Sequence, residues 1–462
     1  MSAWNAYTFQ AYISVVLYLF HLVLYVLLRI CQLISWRIAG IQSHLDRCKV
    51  GEEYETSAQL LKVWSRSKPT PFTILYQRHF LSTHVKFVHP EYSLQKHITL
   101  MTVTDKEAIF CVPSPEVNVL DVRKWPFLFE AMHQAANYIL IMPVSSLIRL
   151  SKVIGEPTTK VVWIHHPGRC GSTAVAQAFN ALPDVTCISE PQCCFSLNQV
   201  YKYKNFGIWD KKPEFSEQYM ETFYAAICLL LKPSQTDASV VIVKGSPTVA
   251  TADMKLLPKL FPKFKNIFMY REIEKQVTSI YNLLAKVELP SDVTSYIATN
   301  KILSRMFPSI RPLGFMYNSC DDKTHLEYIF KKDNVPKPCE LRFFGFILNW
   351  AEICFHFREH NEQVPSSQAM PAFKYEHWLS NRMKYLQTLF RYINLELTDE
   401  RYELITEVLA EDSQKGTYMG RDKTCSVEIS AEMIKRANVY LQFYDLSSWG
   451  DPFTLPNTVT CH

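Results

Sequence analysis

Three cations in this chain stand at one kind of place: Arg169, Lys244 and Arg271 each come just after an apolar run rich in β-branched or aromatic residues. The first run, Val161-Val162-Trp163-Ile164, leads into the loop Pro167-Gly168-Arg169-Cys170-Gly171-Ser172-Thr173. Ala174, Ala178, Phe179 and Leu182 follow at helical spacing. Strand, short glycine-bearing loop and helix N-terminus together make an anion site. The first-turn N–H groups lack intrahelical partners, the helix dipole favours negative charge, and Arg169 adds a fork of donors. The expected guest is a phosphate or a sulfate.

The loop is not that of a nucleoside-triphosphatase. Such a loop needs G-x-x-x-x-G-K-[ST], with a lysine on the terminal phosphates and a hydroxyl on magnesium. Here Ser172 follows Gly171, and the cation precedes the second glycine. The strand expected at 266–270 ends in Arg271 where a metal-binding Asp would be needed. The run at 240–244 ends in Lys244, a helix is expected over 251–262, and Ser279 lies on the helix after Arg271. Loops at the carboxyl ends of parallel strands are where open α/β sheets bind ligands. Three cations at such ends call for a polyanion.

These residues resemble the sulfotransferase superfamily, which uses 3′-phosphoadenosine 5′-phosphosulfate (PAPS). GRCGST is similar to the family's 5′-phosphosulfate loop P-[KR]-S-G-[ST]-[ST]. Arg271 and Ser279 match the spacing of its 3′-phosphate motif. The nearest likeness is to membrane sulfotransferases of the tyrosylprotein and carbohydrate type. Ala181-Leu182-Pro183-Asp184-Val185 then Glu190, Lys244 before Pro247, and Phe373-Lys374-Tyr375-Glu376-His377-Trp378-Leu379 have counterparts there. The resemblance covers roughly residues 158–425. Gly168 is an insertion, Cys170 replaces a serine, and the lysine–proline element has one residue too many. Ser246 stands where cytosolic members carry a catalytic histidine.

The resemblance implies an α/β fold, a P-loop-like parallel sheet flanked by helices. It implies transfer of a sulfuryl group from PAPS to a hydroxyl acceptor on a carbohydrate, a tyrosine, a lipid or a small metabolite, without a metal. Glu190 becomes the base, with Arg169 and Lys244 stabilising the leaving oxygen. Cys170, Gly171, Ser172 and Thr173 hold the 5′-phosphosulfate with Arg169, and Arg271 and Ser279 hold the 3′-phosphate. Lys415 and Gly416, in a polar loop over 411–423, resemble the family's closing loop over the nucleotide, at longer spacing and without its Trp. The alternatives are another P-loop transferase, such as a small-molecule kinase, or a non-catalytic membrane protein retaining the fold.

Residues 12–28 are apolar except for Ser14 and His21, and 30–36 extend the run beyond Arg29. That suffices for a helix crossing a bilayer, flanked by Tyr and Trp and lacking a signal peptide's basic start. A single-pass membrane anchor is therefore expected, and the resemblance implies the Golgi or endomembranes as its place. The face is open, since family habit says lumen while Arg29, Arg37, Arg47 and Lys49 after the span favour the cytosol. No sequon of the N-x-[ST] type occurs, and the thirteen cysteines show neither metal nor disulfide spacing. With 48% apolar residues and a net charge of +5, the chain can build a large core and shows no nucleic-acid footprint. The expected domains are an anchor at 1–37, an accessory layer at 38–155 and a nucleotide-binding domain at 156–455. In the accessory layer, strands are expected at 73–76, 85–89, 98–103 and 108–112. Helices are expected at 125–136 and 137–153, broken at Pro143. The stretches 196–232 and 286–340 are expected to shape the acceptor pocket.

Overall fold

The apolar runs ending in Lys244 and Arg271 are long enough for strands buried on both faces, and in the computed structural model they flank the strand that leads into the Arg169 loop, one on each side. The structure describes residues 4–204, 215–233, 237–287, 340–366, 368–414 and 426–460, with 293, 296, 300, 303, 417, 419 and 420. Lys415, Gly416 and most of 286–340 lie outside these. Five parallel strands, β6 (Lys160–His165), β7 (Val185–Ser189), β8 (Val240–Lys244), β9 (Lys265–Tyr270) and β10 (Ala372–Lys374), pair in the order β10-β9-β6-β8-β7. The chain leaves β6 towards β7 and β8 on one side, then crosses to β9 and β10 on the other. The carboxyl end of β6 is thus a topological switch point, where such sheets leave a crevice.

Alternation sorts the strand residues between two cores. Val161, Trp163, Val241 and Val243 face a cluster shared with the accessory layer, whereas Val162, Ile164, Ile242, Ile267 and Met269 face the helix after the loop (Ser172–Asn180) and the helix Arg382–Tyr392. The sheet is flanked by helices on both faces, as expected.

The accessory layer is itself a five-stranded antiparallel sheet: β1 (Ala58–Arg66), β2 (Phe80–Val88), β3 (Thr99–Val103), β4 (Glu107–Val112) and β5 (Tyr138–Pro143), in the order β2-β1-β5-β4-β3. Residues 138–143 form the central strand of this sheet and not part of a helix over 137–153; a short, wholly apolar run has no period to tell the two apart, and pairing with both β1 and β4 decides it. Helix begins only after Pro143, which starts the helix Val144–Ile154. Residues 73–76 are not a strand, and β1, whose run at 58–66 is broken by Lys62, was not foreseen. The nine described cysteines are unbridged, and all but Cys31 are buried.

The N-terminal helix α1 (Trp4–Ile38) includes a segment, Tyr12–Ile38, long and apolar enough to cross a membrane by length and composition. Gly40, at φ 73°, separates it from α2 (Ile41–Lys49).

Burial also sets a pH response. His165 is enclosed at the end of β6, its Nε2 2.9 Å from Asn266 Oδ1, and loss of solvent pushes its pKa down to about 4. His133 is pushed down to about 3 by burial, with Lys68 adding to it. The unfolded chain therefore takes up protons below pH 6.5 that the folded chain refuses. Stability is full above that pH and falls through the window from 6.5 towards 4. Between pH 7 and pH 5 each of these histidines should cost about 2 kcal/mol. Urea unfolding of the wild type should weaken accordingly, and His165→Gln should show a shallower loss. Parallel pH profiles would refute this origin.

Candidate functional site

The loop between β6 and the next helix owes its shape to backbone that ordinary residues avoid. Gly168, Arg169 and Gly171 all have positive φ, at 88°, 51° and 80°. Left-handed steps of this kind gather N–H groups into an anion-binding concavity. Gly171 is the N-cap of the helix Ser172–Asn180, whose first intrahelical bond runs from Val175 N–H to Gly171 O at 3.1 Å. The N–H groups of Ser172, Thr173 and Ala174 precede that bond; those of Thr173 and Ala174 are left for a ligand or solvent, and that of Ser172 also faces the Cys170 sulfur. A Cβ on Gly171 would stand 2.5 Å from the Tyr375 ring, so that ring closes the back of the loop. Behind the loop too is Cys170, whose thiol is buried and pushed up to about 11 by loss of solvent. It shapes the loop and is no acid.

The loop opens on a cavity of about 210 Å³ at the carboxyl ends of β6 and β8. Of the residues singled out from sequence, Arg169, Ser172, Thr173, Glu190 and Lys244 line it. Lys244 is the junction. Its buried ammonium donates to Glu190 Oε1 at 2.6 Å, to Thr173 Oγ1 at 3.0 Å and to Ser189 Oγ at 3.5 Å, and lies 5.0 Å from the Phe127 ring centre. Glu190 is tied back by its own backbone, left-handed at φ 55°, with its N–H donating to Lys244 O at 2.7 Å. Side chain and main chain thus lock the carboxylate against the lysine.

The extra residue after Lys244 has a physical reason. A Cβ on Gly245 would meet Trp163 Nε1 at 2.8 Å and Ile164 O at 3.2 Å, so only glycine fits where the strand end crosses β6.

The expected 3′-phosphate pair is arranged less simply. Arg169 Nε donates to Ser279 Oγ at 3.0 Å and its Nη1 to Gln414 Oε1 at 2.6 Å. Arg271 sits beside the loop and not on the cavity wall: its Nη1 donates to Arg169 O at 3.4 Å, and its guanidinium stacks 4.9 Å over Tyr375. Glu376 Oε1 lies 3.9 Å from Arg271 Nε. Arg169, Arg271 and Ser279 therefore share one neighbourhood, while Arg271 braces the loop from outside the cavity. Gln414 and Met419 bring the polar loop at 411–423 to the rim, with Lys415 and Gly416 outside the described residues.

Sequence reasoning missed several members. His166 lines the cavity and accepts the Gly168 N–H at Nδ1 (3.0 Å); its Nε2 lies near the Gly245 carbonyl without good hydrogen-bond geometry. Enclosure, with Lys244 nearby, holds its pKa well below the usual range, so it braces the loop as a neutral ring. Gln276 Nε2 donates to Pro167 O at 2.8 Å. Phe72, Phe127 and Phe129 reach in from the accessory layer. The doublet His165-His166 just before the loop was a legible signal; the phenylalanines, far off in the chain, gave none.

No protein-family model and no curated relative matches the chain. Among solved structures it is similar to sulfotransferase STF9 from Mycobacterium avium, with 11% identity over 71% of this chain and 87% of that one, at a TM-score of 0.33. It is also similar to the sulfotransferase domain from the curacin biosynthetic pathway, with 10% identity over 63% of this chain and 100% of that one, at a TM-score of 0.31.

Gly171→Ala tests that geometry directly. The left-handed backbone alone should cost about 1–2 kcal/mol in urea unfolding, before any clash with Tyr375. Adding Tyr375→Ala should relieve the contact yet leave that cost, and a Gly171→Ala protein as stable as the wild type would contradict the loop conformation described.

Proposed function

We propose that this chain is a sulfotransferase that moves a sulfuryl group from PAPS to a hydroxyl acceptor. The observation that carries the reading is Lys244, whose one ammonium touches both the Glu190 carboxylate and Thr173 of the anion loop inside a single cavity. Sulfuryl transfer needs those three elements together: a base for the acceptor proton, a cation for the leaving oxygen, and donors for the anionic donor group.

In the proposed reaction the acceptor oxygen bonds to sulfur in line with the breaking S–O bond. Its proton passes to Glu190, and adenosine 3′,5′-bisphosphate leaves with the electron pair. Lys244 and Arg169 offset the charge growing on the leaving oxygen. The N–H groups and hydroxyls of Ser172 and Thr173 hold the 5′ end, and Arg169 with Ser279, braced by Arg271, faces the 3′-phosphate. A base supplied after the Pro183-Asp184-Val185 turn follows the tyrosylprotein pattern that the sequence resembles.

The acceptor class is read from the walls. Phe72, Phe127, Phe129, Phe195, Ile280 and Phe346 line the cavity, with Asn198 and Gln199 contributed by the stretch at 196–232. Such a lining favours a hydroxyl on an apolar or aromatic body over a polysaccharide.

A thermal-shift comparison tests the donor: adenosine 3′,5′-bisphosphate should stabilise the protein, and ATP with magnesium should not. The reverse result would point to a kinase, and no shift with either to a non-catalytic protein. With PAPS and a panel of phenols and aliphatic alcohols, Glu190→Gln should bind the bisphosphate normally and lose about a hundredfold or more in rate. Near-normal turnover would remove Glu190 from the role. Arg169→Ala should instead weaken both binding and rate.

A further inference from the structure

Hydropathy averages over the two faces of α1, and the structure separates them. One stripe is docked on the accessory layer. Tyr18, His21, Gln32 and Trp36 are buried to between 1% and 6% exposure. Gln32 Nε2 donates to Ser82 O at 2.6 Å, and His21 Nε2 lies 3.2 Å from Arg78 O. The Tyr18 ring lies 5.6 Å from His79, and Trp36 meets His84 edge-on at 6.1 Å. These contacts run from residue 18 to residue 36, about 27 Å of helix at 1.5 Å per residue. The opposite stripe, through Leu17, Phe20, Leu24, Leu27, Ile34 and Ile38, faces outward, with Phe20 64% and Ile38 84% exposed.

We propose that α1 lies in the plane of a bilayer surface, sinking the outward stripe into lipid while its other face stays on the domain. The protein is then held on one leaflet without crossing it. The docked face is the reason. A crossing helix needs about 20 residues within some 30 Å of hydrocarbon. While 18–36 remain docked, that depth would also take in Arg78, His84 and the sheet-edge strand β2, whose Lys86 is exposed. Polar groups and open strand edges are not tolerated in lipid.

The outward face also favours lipid over a second copy of the chain. At 100° per residue the six positions just named span about 100°, and with Val16, Val23, Val26, Ile30 and Leu33, also exposed, about 200°, far wider than a two-helix seam. Its side chains are large, interrupted by Cys31 and Ser35 and, in the last turn, by Arg37, whereas helices that pair within membranes meet through small residues. The cations beyond the helix add little. Arg47 is paired with Glu53 and Lys49 with Asp46, so attachment rests on apolar burial. The inference is independent of the reaction proposed above, and it makes the charge balance around α1 irrelevant to orientation, since the helix itself does not cross the bilayer.

The test uses the full chain carrying a tag at each end. In sealed microsomes, both tags should share one fate under protease, both digested or both protected; opposite fates would show a crossing helix and overturn the proposal. Purified protein should float with sealed phosphatidylcholine vesicles and show little salt dependence. Phe20→Asp with Leu24→Asp should cut the bound fraction about tenfold without changing the melting temperature, because neither side chain is part of the docked face. Failure of the wild type to float would also overturn it, and a dimer in light scattering would then assign the stripe to a second copy.

Discussion

An ammonium enclosed at the end of a central strand must be answered by charge and hydrogen bonds, and much of this site follows from answering Lys244. Its side chain is 1% exposed. A cation so placed is tolerable only when paired and fully coordinated. Glu190 supplies the counter-charge, and the left-handed turn at Glu190, pinned by its N–H on Lys244 O, keeps the carboxylate there. Thr173 and Ser189 take the remaining donors, and Phe127 covers the top. The same lysine therefore joins anion loop, carboxylate and accessory layer, which is why those three meet in one cavity.

The loop is a second constraint built on the first. Three left-handed residues in four hold it open for an anion, and it is supported from both sides. His166 and Gln276 take backbone groups on one side, while Tyr375 and Arg271 close the other. Arg271 reaches the loop carbonyl from beside the cavity, a placement that its position at a strand end does not reveal.

The accessory sheet has two duties. Its inner face shares a core with the parallel sheet, through residues such as Leu100, Phe110 and Trp163. The segment after β4 delivers Phe127 and Phe129 over the strand ends, giving a polar floor an apolar wall. Its β2 edge is where α1 docks, so the most hydrophobic helix of the chain also caps an exposed strand edge. An uncovered edge would invite pairing with another chain.

What the sequence alone determined is local. The strand–loop–helix at 160–180, the lysine and arginine strand ends, and the apolar length of α1 are legible because each depends on neighbours in the chain: an apolar run, a glycine, a helical spacing. Where two local signals conflict, the sequence misleads, as at 138–143, whose unbroken apolar run suits helix and buried strand equally. The partners of Lys244, the bracing role of Arg271, the phenylalanine walls and the two faces of α1 were settled only by tertiary structure. Each depends on groups brought together from distant positions, such as Phe127 against Lys244 or Gln32 against Ser82. No spacing along the chain encodes such meetings; they follow from which strand lies beside which, and burial then decides what every enclosed polar group must touch.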